Sequence, residues 1–69
     1  MMFDSTKRRM ASNAIDNMQK AYEDLALQTE WYGVYVTNND MDNVKKSLAK
    51  IEKSALQLST NASILKRTL

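Results

Sequence analysis

Residues 41–69, MDNVKKSLAKIEKSALQLSTNASILKRTL, place an apolar side chain at Met41, Val44, Leu48, Ile51, Ala55, Leu58, Ala62, Leu65 and Leu69. The steps between these positions run three, four, three, four without a break, which is the period of one face of an α-helix and not the period of two that a strand would show. The segment therefore reads as a single long helix with a heptad seam. Upstream, Ala11, Ile15, Met18, Tyr22, Leu25, Thr29, Tyr32 and Val36 repeat the pattern with Thr29 as the one polar member. Ala14, Ala21 and Ala26 flank that second seam and make its apolar face wider than the stripe of a two-stranded coiled coil. A wide face suits a bundle.

The chain of 69 residues contains no proline, and Gly33 is its one glycine, so the usual marks of loops are missing. Two stopping points for the first helix follow from the residues. It can end near Trp31, with Gly33 as the left-handed residue after it and Val34-Tyr35-Val36 extended. Alternatively it runs through Gly33, at a cost of about 1 kcal/mol relative to alanine, and turns at Thr37-Asn38-Asn39-Asp40. The seam continues through Tyr32 and Val36, Asn38 and Asn39 tolerate the left-handed conformation, and Asn39 or Asp40 can cap the next helix, which favours the later turn. The expected fold is all-α: one domain over residues 1–69, with helix 1 at about 5–36, a turn at 37–40 and helix 2 at about 41–68. Two helices of this length, each roughly 45 Å at 1.5 Å per residue, fold back antiparallel across so short a turn.

A chain this short buries little apolar surface relative to its conformational entropy, and it has neither a cysteine for a disulfide nor a histidine. No metal or cofactor is expected, because the usual ligands of zinc, haem and iron–sulfur clusters are missing. Stability is expected to come from oligomerisation or from a partner protein, and the leading reading is half of a homodimeric four-helix bundle. The self-association and core positions are Ile15, Met18, Tyr22, Leu25, Val44, Leu48, Ile51, Ala55, Leu58, Ala62 and Leu65. Along helix 2 they alternate small with large, Leu48, Ala55 and Ala62 against Ile51, Leu58 and Leu65. This layering resembles the core of ROP-type plasmid RNA-binding proteins, antiparallel dimers of helical hairpins. The likeness spans about residues 11 to 65, contains no match in RNA-contacting residues, and implies a bundle without implying a function.

Trp31-Tyr32-Gly33 resembles the Trp-x-Gly signature that WXG-type small secreted hairpins carry at their turn. Members of that family are longer and usually end in a Tyr-x-x-x-Asp/Glu export signal, which the tail after Leu58 lacks. Asn39-Asp40-Met41-Asp42, within Tyr35 to Ile51, is similar to the inter-helix turn of a tetratricopeptide unit, though one such unit cannot bury its faces alone. Trp31, Tyr32 and Tyr35 have two readings: a plug for the turn end of the core, or a contact patch for a larger protein partner, since tryptophan and tyrosine dominate binding hot spots.

Catalysis has little to draw on. Every Asp and Glu falls on a predicted polar face or helix end, and no phosphate-binding glycine loop is present, so no enzymatic activity is expected. No apolar run is long enough to span a membrane, and the start of the chain lacks a secretory hydrophobic segment; a cytoplasmic protein without membrane contact is expected.

The formal net charge is only +2, but its distribution is uneven. Glu23, Asp24, Glu30, Asp40 and Asp42 lie between Ala21 and Val44 without a basic residue, whereas Lys7, Arg8, Arg9, Lys66 and Arg67 sit at the chain ends against Asp4. Folding the hairpin gathers an acidic turn end and a basic open end. Lys66 and Arg67 suit a helix C-terminus, but Lys7, Arg8 and Arg9 stand in a first turn where cations are unfavourable. They are candidates for contact with an anion, either nucleic-acid phosphate or the acidic end of a second copy. The leading expectation is a small interaction or regulatory protein of adaptor or inhibitor type. Its rival is a nucleic-acid-binding regulator using the basic open end with Lys46, Lys50 and Lys53.

Overall fold

A computed structural model describes residues 5–68 of the chain. Two helices account for nearly all of them: α1, Ser5–Thr37, and α2, Met41–Thr68. They pack against each other as an antiparallel hairpin 52 Å long and 14 Å across in each other direction, measured on Cα atoms. Of the two stopping points left open by the sequence, α1 takes the later. Gly33 is helical, and a Cβ added there would meet nothing within 4 Å.

The turn is short because both of its ends are satisfied by the same few residues. Asn39 adopts the left-handed conformation, with φ of 54°. Its N–H donates to the Val36 carbonyl at 3.1 Å, and the Asp40 N–H donates to the Tyr35 carbonyl at 2.9 Å. This is the Schellman pattern, which pairs two of the carbonyls that a helix end leaves without partners, here with asparagine where glycine is commonest. Asp40 then caps α2. Its Oδ1 accepts from the Asn43 N–H at 3.4 Å, its Oδ2 accepts from Asn43 Nδ2 at 2.7 Å, and its carbonyl accepts from the Val44 N–H at 2.9 Å. One residue thus closes α1 and opens α2.

The line of contact between the helices differs from the apolar seam by one residue at alternate positions. On α1 the residues turned inward are Ala11, Ala14, Met18, Ala21, Leu25, Gln28, Tyr32 and Tyr35; on α2 they are Val44, Ser47, Ile51, Ser54, Leu58, Asn61, Leu65 and Thr68. Both lines keep the three-four spacing of a heptad. Most alternate members are small or polar, however, and the deepest residues are among them: Ala14, Ala21 and Ser47 are each 2% exposed. Small side chains let the two backbones approach closely, and the large members, Met18, Leu25, Tyr32, Ile51, Leu58 and Leu65, are left half-buried beside the contact.

The expected core therefore splits. Val44 is buried, Met18, Leu25, Ile51, Leu58 and Leu65 are half-buried, and Ile15, Tyr22, Leu48, Ala55 and Ala62 are exposed. The close-approach layers within the hairpin come from Ala14, Ala21, Ser47 and Ser54 and not from Leu48, Ala55 and Ala62. Leu69, the last seam position, and Asp4 lie outside the described residues.

Candidate interaction surface

The displacement of the seam gives the hairpin two unlike flanks. Each small contact residue is followed by an apolar one in most cases: Ala14 by Ile15, Ala21 by Tyr22, Ser47 by Leu48, Ser54 by Ala55 and Asn61 by Ala62. In an antiparallel pair, residues at this heptad position on the two helices lie along the same side of the contact line. The large contact residues lean toward that side as well, so it becomes one apolar face running from Ile15 to Val36 on α1 and from Met41 to Ala62 on α2. Ile15, Tyr22, Val36, Met41 and Leu48 are all exposed on it, Tyr22 by 58% and Met41 by 60%. Thr29 is the polar member, but its Oγ1 donates to the Leu25 carbonyl at 2.7 Å, which satisfies the hydroxyl within its own helix.

The opposite flank carries the residues that precede the large contact residues, and these are mostly polar. Asn17, Lys20, Asp24, Gln57 and Asn61 line a groove of about 400 Å³ with Ala21 at its floor. A second groove of about 280 Å³ continues it through Asp24, Gln28, Lys50, Lys53, Ser54 and Gln57. Asn17 Nδ2 donates to Asn61 Oδ1 at 3.3 Å, linking the helices on this side, and Asn61 Nδ2 donates to the Gln57 carbonyl within α2 at 2.8 Å. Lys50 and Lys53 thus share a groove with Asp24 of α1, and Lys46 is exposed one turn nearer the hairpin turn.

The aromatic cluster near the turn divides between the two readings it allowed. Tyr32 and Tyr35 are half-buried in the contact line, while Trp31 is 46% exposed and stacks on Tyr35, ring centroids 5.7 Å apart with planes at 23°. Leu27 and Val34 are likewise exposed. At i, i+4 and i+7, Leu27, Trp31 and Val34 form a second, smaller apolar patch on α1, to which Leu27 is the addition that the sequence did not suggest. Trp31-Tyr32-Gly33 lies inside α1 and not at the turn, so the feature that suggested the WXG hairpins stands in a different place here.

At the open end Lys7, Met10, Ile64, Arg67 and Thr68 line an open hollow of about 510 Å³, so the two helix ends bring a lysine and an arginine to one place. Arg67 also donates from Nε to the Ser63 carbonyl at 3.4 Å, and Arg8, Arg9 and Lys66 are exposed nearby in sequence. Toward the other end Glu30 and Asp42 are exposed and Asp40 is half-buried. No helix among the described residues is long and apolar enough to cross a membrane. Set beside known proteins, the chain matches no family model, no curated sequence and no solved structure.

Proposed function

We propose that this chain is a small non-enzymatic helical module that works through protein–protein contacts as a homodimeric four-helix bundle, in the manner of an adaptor or inhibitor. One observation carries the reading: among the described residues the buried apolar side chains are three alanines and a valine, Ala11, Ala14, Ala21 and Val44, while ten large apolar residues are exposed, five of them, Ile15, Tyr22, Val36, Met41 and Leu48, along one face. A hairpin built this way gains little from its own interior. Apolar burial contributes roughly 25 cal/mol per Å², and most of the area able to supply it lies outside. Two hairpins pairing their apolar faces form a bundle with a core of ordinary size. The patch of Leu27, Trp31 and Val34 lies off that face and is the surface for a larger protein partner.

Sedimentation or light scattering tests the reading. A two-chain mass at tens of micromolar protein is the expected result, and a one-chain mass refutes it. For the partner patch, Trp31→Ala is expected to weaken capture of a partner while leaving the dimer intact.

The convergence of Lys7 and Arg67 at the open end favours one other reading, a nucleic-acid-binding regulator. Phosphate contacts make affinity fall steeply with salt. A gel-shift series over rising ionic strength separates the two, because the interaction module shows no salt-dependent shift with nucleic acid.

A further inference from the structure

We infer that the face running along Ile15, Tyr22, Val36, Met41 and Leu48 is the surface on which a second copy of this chain docks, with the turns of the two hairpins at opposite ends. This rests on the homodimer proposed above and specifies its geometry. The occupant follows from area, shape and charge.

The chain exposes 5491 Å², whereas the scaling of surface with mass gives roughly 4,400 Å² for a compact monomer of its size. The excess of about 1,100 Å² is of the order that a stable interface removes from each partner, about 800 Å². The α2 side of the face is also self-complementary in size. Along α2 the large residues Met41 and Leu48 occupy the half near the turn and the small residues Ala55 and Ala62 the half near the open end. A two-fold axis across the middle of the stripe sets Leu48 against the second copy's Ala55 and Met41 against its Ala62.

Charge selects the orientation. With turns at the same end, two copies of the Lys7, Arg8, Arg9, Lys66 and Arg67 cluster come together, and so do two acidic turns. With turns at opposite ends, each basic end lies beside the turn end of the other copy, where Glu30, Asp40 and Asp42 outnumber Lys45 and Lys46. Exposed pairs of this kind are weak and screened by salt, so they choose the arrangement while the apolar face drives association. In this arrangement α1 packs on α1 of the second copy and α2 on α2. The polar groove with Asn17, Asp24 and Gln57 faces outward.

The experiment begins with the wild-type mass, since a monomer refutes the dimer itself. Given a dimer, Leu48→Glu and Tyr22→Glu, each forcing a carboxylate into the face, are compared with Gln57→Glu in the groove. The face variants are expected to raise the dimer dissociation constant at least about tenfold and Gln57→Glu to leave it unchanged; a reversed or equal pattern overturns the face. Should the face variants unfold, thiol labelling replaces them, because the chain has no cysteine. A thiol introduced by Leu48→Cys is expected to react about tenfold more slowly, or less, at dimer-forming concentration than on dilution, whereas one from Lys53→Cys reacts equally in both. Equal rates at both sites contradict the assignment. For orientation, spin labels on Thr37→Cys are expected about 45 Å apart, the length of the helices at 1.5 Å per residue, and labels within about 20 Å show turns at the same end.

Discussion

Asn39 and Asp40 decide where this chain reverses. Asn39 takes the left-handed backbone without the freedom of glycine, and Asp40 serves both helices through its N–H, carbonyl and carboxylate. Asp40→Ala removes the cap and is expected to cost about 0.5–2 kcal/mol in a denaturant melt. Asn39→Asp keeps a short side chain and is expected to change stability far less. Gly33 shows the opposite situation: it sits in the body of α1 with open space where its Cβ would be and without a positive φ. Gly33→Ala is accordingly expected to stabilise the protein by about 1 kcal/mol, read as a higher melting midpoint at matched concentration. A loss of stability would mean that Gly33 lies in a contact tighter than the hairpin shows.

At the scale of the helices, the contact depends on side chains small enough for backbones to approach. Ala21 is 2% exposed at the floor of the polar groove. Ala21→Leu overpacks that layer and is expected to cost about 1–3 kcal/mol, although leucine on an apolar helix face would pass for a conservative change. Leu27→Ala, on the exposed patch, is expected to stay within about 0.5 kcal/mol. Far-ultraviolet circular dichroism during urea unfolding measures both. The same layer explains what could and could not be read from the residues. Long helices and a late turn followed from an apolar period that never breaks and from the local chemistry of Asn38, Asn39 and Asp40. The contact line did not, because Ser47, Ser54 and Asn61 carry no hydrophobic signal, and a pattern search steps past them to Leu48, Ala55 and Ala62. Both lines share Val44, Ile51, Leu58 and Leu65, and hydropathy alone favours the wetter of the two. Only close approach of the helices separates them. Likewise Trp31 was visible as a candidate from its type, whereas its companionship with Leu27 and Val34 depends on α1 continuing through Gly33.

For the whole molecule, the consequence is a hairpin that is apolar on one flank and polar on the other. Its deepest contact residues are small, five of its exposed large apolar side chains share one stripe, and its open end is basic. The proposed homodimer answers these features with a second copy laid face to face and its turn at the far end. Folding and association are then a single equilibrium, so the melting midpoint is expected to rise with protein concentration. The most direct test is the mass of the wild-type chain in solution by sedimentation equilibrium at tens of micromolar. A particle of twice 7.9 kDa is the predicted result, and a folded particle of 7.9 kDa would contradict the account.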